Sequence, residues 1–217
     1  MASRTDIANA ALIKLGQDIP IAALTERTKA GILLNRLFDP MLELVLSTHA
    51  WPFALKSVAL SLQTEAALPG WSYRYTYPTD CVNAIALTDE GGIRGTTASI
   101  VATWCEDNAY QFRDGQRAYE VIYGTQDTSI VADLEDAYLI YVSRVDNASR
   151  YPSPFQDALA CRIALEASGP LKGDIGLREA PRLRENYMMA LAEAKAHGFN
   201  ESRDPVQPMT PSVAARG

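Results

Sequence analysis

Trp51-Pro52-Phe53-Ala54-Leu55, followed by Trp71-Ser72-Tyr73-Arg74-Tyr75-Thr76-Tyr77-Pro78-Thr79-Asp80-Cys81, marks the point where this chain changes its hydrophobic period. Before it, apolar residues recur at helical spacing; after it, they alternate. Two of the three tryptophans fall here, and Tyr73, Tyr75 and Tyr77 occupy every second position. The stretch therefore reads as a junction between a helical part and a block of strands. Its aromatics have two uses open to them. Trp51 and Trp71 can plug the seam between the two parts, since aromatics bury a large area per residue. Alternatively they can stack on nucleic-acid bases, which calls for basic neighbours, and only Lys56 and Arg74 are near. Packing is the better reading, with Pro78 ending a strand and Asp80 opening a turn.

Upstream, Ser3 is a plausible cap for a helix carrying Ile7, Ala8, Ala11, Leu12 and Leu15 on one face, stopped at Gly16. Thr25 reads as the cap of a longer helix with Ala30, Leu34, Leu37, Phe38, Met41, Leu44 and Val45 at helical spacing. Pro40 lies inside it, so a kink or break is expected near Phe38 and Asp39. Downstream, strands are expected over Ala54–Leu62, Tyr73–Tyr77, Val82–Thr88, Ser99–Glu106, Ala118–Tyr123 and Ala137–Ser143. A hairpin is expected at Asp114-Gly115. Short strands joined by tight turns suggest an antiparallel sandwich or small barrel.

Helices return at Ser153-Pro154-Phe155-Gln156, where a serine cap, a first-turn proline and a capping-box glutamine coincide. Phe155, Leu159, Ile163 and Leu165 form the buried stripe of this helix, and Gly169-Pro170 is expected to end it. The last helix is expected from Glu179 to Ala196, with Leu183, Tyr187, Ala190, Leu191 and Ala194 inward and Pro181 tolerated only in the first turn. Neither helical pair can bury its apolar face alone. The predicted fold is therefore α+β: a four-helix layer formed by the N- and C-terminal helices, with an inserted antiparallel β module. Residues 1–50 and 145–198 make the helical bundle, 51–144 the β module, and 199–217, with Pro205, Pro208 and Pro211, a flexible tail.

Composition narrows the function. The 217 residues are 47% hydrophobic and 21% charged, as in a globular protein long enough for a sizeable core. No apolar run reaches the roughly 20 residues of a spanning helix, and Met1 to Asp6 opens no signal-peptide core, so no membrane anchor is expected. Cys81, Cys105 and Cys161 are too scattered for a disulfide framework or metal site, which suggests a reducing compartment. The net charge of −6 argues against tight binding to a phosphate backbone. Between Cys105 and Asp136, Glu106, Asp107, Asp114, Glu120, Asp127, Asp133, Glu135 and Asp136 stand against Arg113 and Arg117, so this segment alone holds as much excess negative charge as the whole chain. It is a solvated strand face or an acidic surface past which DNA slides without sticking.

No catalytic pattern competes. His49 and His197 lack partners at metal-ligand spacing, and His49 reads as a structural residue after a helix end, where a cation is favoured. There is no Gly-x-Ser-x-Gly elbow and no phosphate loop. Adjacent acids such as Glu135-Asp136 or Glu106-Asp107 would point to opposite faces of a strand. No catalytic residue, cofactor or metal is expected.

The order of these elements resembles a known family. Leu15-Gly16, the helix ending in Ser47-Thr48-His49-Ala50-Trp51-Pro52-Phe53-Ala54, and the run Tyr73-x-Tyr75-x-Tyr77-Pro78-x-Asp80-Cys81 are similar to those of the head-to-tail adaptors of short-tailed bacteriophages, the tail tubular protein A family. Leu139-Ile140-Tyr141-Val142 and Phe155-Gln156-Asp157-Ala158-Leu159-Ala160 continue the likeness, which covers residues 5–198. Pro52 replaces a polar residue between Trp51 and Phe53. The resemblance implies a structural virion protein rather than an enzyme. It implies a dodecameric ring that binds the portal protein on one side and the tail nozzle protein on the other, located in the virion tail and, during assembly, in the host cytoplasm. Genomic DNA would pass through the ring without specific binding. The helical layer would pack against neighbours and portal, some of the acids from Glu106 to Asp136 would face the channel, and the tail would order on the portal or an adjacent subunit. Reversing the charge of Asp133, Glu135 and Asp136 would then slow ejection. Two alternatives are a tail-associated cell-wall glycan hydrolase, which needs a cleft with two carboxylates, and a carbohydrate- or receptor-binding β module, which needs Trp71, Tyr73 and Trp104 exposed on a sheet face.

Overall fold

The computed structural model describes residues 2–89, 116–124 and 127–201. The expected strand Ser99–Glu106 and the Asp114-Gly115 hairpin lie outside them. The fold is α+β, with helices from both ends of the chain forming one layer and an antiparallel β module inserted between them.

Helix α1 (Arg4–Lys14) starts in a reciprocal cap: the Ser3 hydroxyl accepts from the Asp6 N–H at 3.1 Å and the Asp6 carboxylate accepts from the Ser3 N–H at 2.8 Å. It ends as expected at Gly16, whose φ of 69° suits glycine. Helix α2 (Lys29–Ser47) is capped by Thr28, not Thr25: the Thr28 hydroxyl accepts from the Gly31 N–H at 3.1 Å. Helix α3 (Ser153–Lys172) follows Pro152 without a serine cap, and Gln156 instead donates from Nε2 to the Tyr151 carbonyl at 2.8 Å. Helix α4 (Asp174–Glu201) follows after the single residue Gly173, whose φ is 59°. Residues 199–201 therefore belong to this helix rather than to the tail, and residues 202–217 lie outside the description.

The expected breaks at Pro40, inside α2, and Pro170, inside α3, do not occur, and the last helix starts at Asp174 rather than Glu179, which puts Pro181 past its first turn. A proline leaves the carbonyl four residues earlier without its helical donor. All three prolines are exposed, and so are Arg36, Glu166 and Leu177, the residues that own those carbonyls. Water can take the place of the missing N–H, so each helix continues.

Helix α3 lies in the middle, against α1, α2 and α4. It is buried on more than one stripe, and Ala158, Ala160, Ala164 and Ala167 let neighbours approach from several sides. Leu165, expected in its stripe, is only half-buried. On α2, Leu34, Phe38 and Val45 face the core, whereas Leu44 is exposed.

The module has two sheets. One has the order β1 (Leu55–Ala59), β7 (Tyr138–Ser143), β3 (Cys81–Thr88), β4 (Gln116–Arg117); the other has the order β2 (Tyr73–Thr76), β6 (Thr128–Ala132), β5 (Tyr119–Tyr123). All strand pairs are antiparallel. The sheets face each other over Tyr75, Leu87, Ile130, Ala132, Leu139 and Tyr141. Strand β7 alternates with period two between two interiors. Leu139 and Tyr141 point between the sheets, while Val142 joins the core of the helical layer and Ile140 packs with Ala50 beneath α2. Strand β6, absent from the sequence reading, is the centre of the second sheet and is buried from Ser129 to Ala132.

Candidate functional site

The junction read from sequence is a built structure. At the end of α2 the Val45 carbonyl accepts from the Thr48 N–H at 3.2 Å and hydroxyl at 2.7 Å, and the Trp51 indole Nε1 donates to the same oxygen at 3.0 Å. Pro52 then opens a short 3-10 turn, Pro52–Ala54, that aims the chain into β1. Phe155, from the first turn of α3, is the hub. Trp51, Phe53 and Tyr151 surround it at 4.9, 4.8 and 5.2 Å between ring centroids, each steeply tilted towards edge-to-face. This arrangement sets positive ring edges against negative faces. The Tyr151 hydroxyl donates to the Val145 carbonyl, and burial pushes its phenol up to about 12, so it stays a neutral donor. Ser143 Oγ donates to the Ala54 carbonyl at 2.8 Å and ties β7 to the same seam.

His49 packs edge-on against Trp51 at 5.0 Å and is 1% exposed. Burial lowers its pKa to about 4, with Lys195 adding a smaller push in the same direction. The imidazole is therefore neutral at pH 7. Desolvation outweighs the helix dipole, which at this helix end would favour a cation. Since the folded pKa lies below the unfolded value of 6.5, His49 contributes stability that is full above pH 6.5 and is lost as pH falls towards 4. The effect is bounded by about 3 kcal/mol. The predicted result is that His49→Gln flattens the pH dependence of urea stability between those limits; an unchanged slope would assign it to other groups.

Beside the aromatics lies a polar seam that the sequence reading missed. Asp80 does more than open a turn: it accepts from Lys56 Nζ on β1 at 2.5 Å and from the Tyr141 hydroxyl on β7 at 2.8 Å. Burial would raise its carboxyl, but these two donors hold it below the usual range. Arg144, just after β7, reaches Asp39 at 3.0 Å, Asp146 at 2.9 Å, and Glu43. Asp39 also receives Arg4, whose guanidinium lies 4.4 Å from the Phe38 ring centroid. Apart from Asp146, these partners come from different elements far apart in sequence, so only the fold reveals them. An open cleft of about 540 Å³ lies between α2 and the β2–β3 turn, lined by Glu43, Leu44, Thr79, Asp80, Cys81 and Arg144. Its charged groups are already paired, Glu43 with Arg144 and Asp80 with Lys56. Cys81, half-buried there, has its thiol pushed up to about 11 by burial, which leaves it a poor nucleophile at pH 7.

Trp71 is not part of the seam. It precedes β2 beside Ser72, whose N–H and hydroxyl donate to Asp133 at 2.9 and 2.8 Å. Asp133 belongs to the β6–β7 turn, at the opposite end of β7 from Ser143, about 17 Å away at a strand's rise per residue. The buried Tyr75 hydroxyl pins this turn by donating towards the Leu134 and Glu135 carbonyls. Trp71 and Tyr73 are half-buried, and Trp104 lies outside the described residues. Glu120, Asp127, Asp133, Glu135 and Asp136 are exposed; Glu106, Asp107 and Asp114 lie outside the described residues.

Among the described residues, no group of three or more His, Cys, Asp or Glu side chains could hold a metal ion, and no helix is long and apolar enough to cross a membrane. Compared with known proteins, the chain matches no family model and no curated sequence.

Proposed function

We propose that this protein is a head-to-tail adaptor of a short-tailed phage virion: a structural ring between portal and tail nozzle that continues the channel for DNA. The observation that carries the reading is the junction itself. The family-like run from Ser47 to Ala54 is committed to closing α2 and packing around Phe155, so its aromatics serve construction rather than a ligand. A rigid seam of this kind suits a part that must hold two surfaces, one helical and one of strands, at a fixed angle between two partners. The half-burial of Trp71 and Tyr73 favours this over a sugar-binding sheet face.

Electron microscopy of the purified chain mixed with its portal and nozzle proteins tests the reading. A stacked ring is expected, and failure to bind either partner would sink it. The channel acids can be narrowed. Asp133 is spent on Ser72, whereas Glu120 on β5 and Asp127 before β6 are exposed and outside any ion pair among the described residues. Glu120→Lys with Asp127→Lys is expected to slow DNA ejection several-fold by adding attraction to phosphates. Ejection at the normal rate would remove these acids from the channel wall.

A further inference from the structure

Helix α4 is only half covered. Its inward face packs on α3 through Leu183, Tyr187, Ala190, Leu191 and Ala194, while Ile175 and Met189 are 60% and 72% exposed. Ile175, Arg178, Arg182 and Met189 are spaced three, four and seven residues apart, which places them on one outward stripe at helical periodicity. Arg178 and Arg182 are exposed and join no ion pair among the described residues. The nearby Glu179 is held by Lys172 at 2.6 Å. The stripe is thus two cations framed by two apolar side chains, and Glu185 flanks it.

The tip of the β module is its counterpart. Glu135 and Asp136 are exposed there and free of ion pairs among the described residues, while Asp133 is held by Ser72 and Glu65 by Arg74. Between β1 and β2, Leu62 opposite Tyr75 and Leu68 just before Trp71 are 54% and 44% exposed. The two exposed anions complement the two cations of the stripe in sign.

The two patches do not meet within one copy. The C-terminal end of α4 lies at the seam, where Gly198 comes close to Pro52. At a helical rise, Arg182 and Arg178 are about 24 and 30 Å from that point along α4. The acidic tip lies beyond the seam, at the far end of β7.

We infer that the α4 stripe of one copy docks on the acidic tip of the β module of a second copy. Such a contact joins unlike surfaces, so it repeats from copy to copy and closes into a ring when the rotation permits. The inference rests on the ring reading above and names its subunit contact; Glu135 and Asp136 then belong to that contact rather than to the channel.

Sedimentation velocity of the full chain over a concentration series tests it. Arg178→Glu/Arg182→Glu and Glu135→Lys/Asp136→Lys should each raise the dissociation constant for self-association at least tenfold, with unchanged thermal unfolding. Mixed in equal amounts, the two variants should associate again, because each supplies the charge the other lacks. Arg27→Glu/Arg36→Glu, on and before α2, should associate like the wild type. Normal association of either reversed variant alone, failure of the mixture to recover, or a wild-type chain that never self-associates would overturn the contact. The adaptor reading fails separately, if the wild-type chain forms no ring on its portal.

Discussion

Trp51→Ala is expected to reduce the free energy of unfolding by about 3–5 kcal/mol, the range for emptying a buried aromatic site. Two losses combine. The indole is 1% exposed and fills the space between the end of α2 and the start of α3. Its N–H also donates to the Val45 carbonyl; that oxygen keeps Thr48 as a partner in the alanine variant, so the lost packing is the larger of the two. Trp51→Phe separates the terms. It retains much of the ring packing and loses the donor, so it should cost only about 1–3 kcal/mol. Urea unfolding followed by circular dichroism measures both. If Trp51→Ala loses less than Trp51→Phe, the seam is not held together as described.

Gly176→Ala is expected to be nearly as damaging, at about 3 kcal/mol or more, from adding a single methyl group. A Cβ at Gly176 would stand 2.0 Å from the Ser168 carbonyl oxygen and 2.5 Å from its carbon. Those atoms are backbone on the facing helix, so relief requires α4 to lever away from α3. Gly169 on α3 makes the matched comparison. A Cβ there would meet only the Leu177 Cδ2 at 3.5 Å, an ordinary contact. Gly169→Ala should therefore stabilise by about 0.5–1 kcal/mol through helix propensity and a less free unfolded chain. Thermal unfolding of the two variants side by side decides the matter. Equal and opposite shifts of Tm are not expected; the loss should exceed the gain severalfold. A harmless Gly176→Ala would mean the helices do not approach this closely.

The same two glycines show where the sequence is legible and where it is not. Periodicity located the helices and most strands because each buries one face, and a one-faced element repeats its pattern. Strand β6 escaped because Ser129 to Ala132 are all buried, and a strand covered on both faces shows no alternation to detect. Helix α3 was read with one stripe although its neighbours lie on several sides, since alanines carry no strong inward or outward signal. Pro40 and Pro170 mislead for a common reason. Whether Pro40, Pro170 or Pro181 breaks a helix depends on what surrounds the orphaned carbonyl, and that is settled by the packing of other elements.

The junction was legible in part. Its composition announced Trp51 as a packing residue, and the resemblance drew attention to the same run. Nothing in the spacing told Trp51 from Trp71, which lies at the other end of β7. Nor could Asp80, Tyr141 and Lys56 be joined by inspection, because their approach depends on the order β1-β7-β3 in the sheet. The stripe on α4 was visible only as what remained after its inward face had been assigned, and the acidic tip only as an excess of charge.

Strand β7 carries a consequence of its own. By giving Val142 to the helical core and Leu139 and Tyr141 to the core between the sheets, it makes two hydrophobic interiors share one backbone. Loosening one interior disturbs the strand that lines the other, so the helices and the module are expected to unfold in one transition. A pull applied at either end of the molecule is carried across the seam by the strand's lateral hydrogen bonds to β1 and β3 rather than by a hinge.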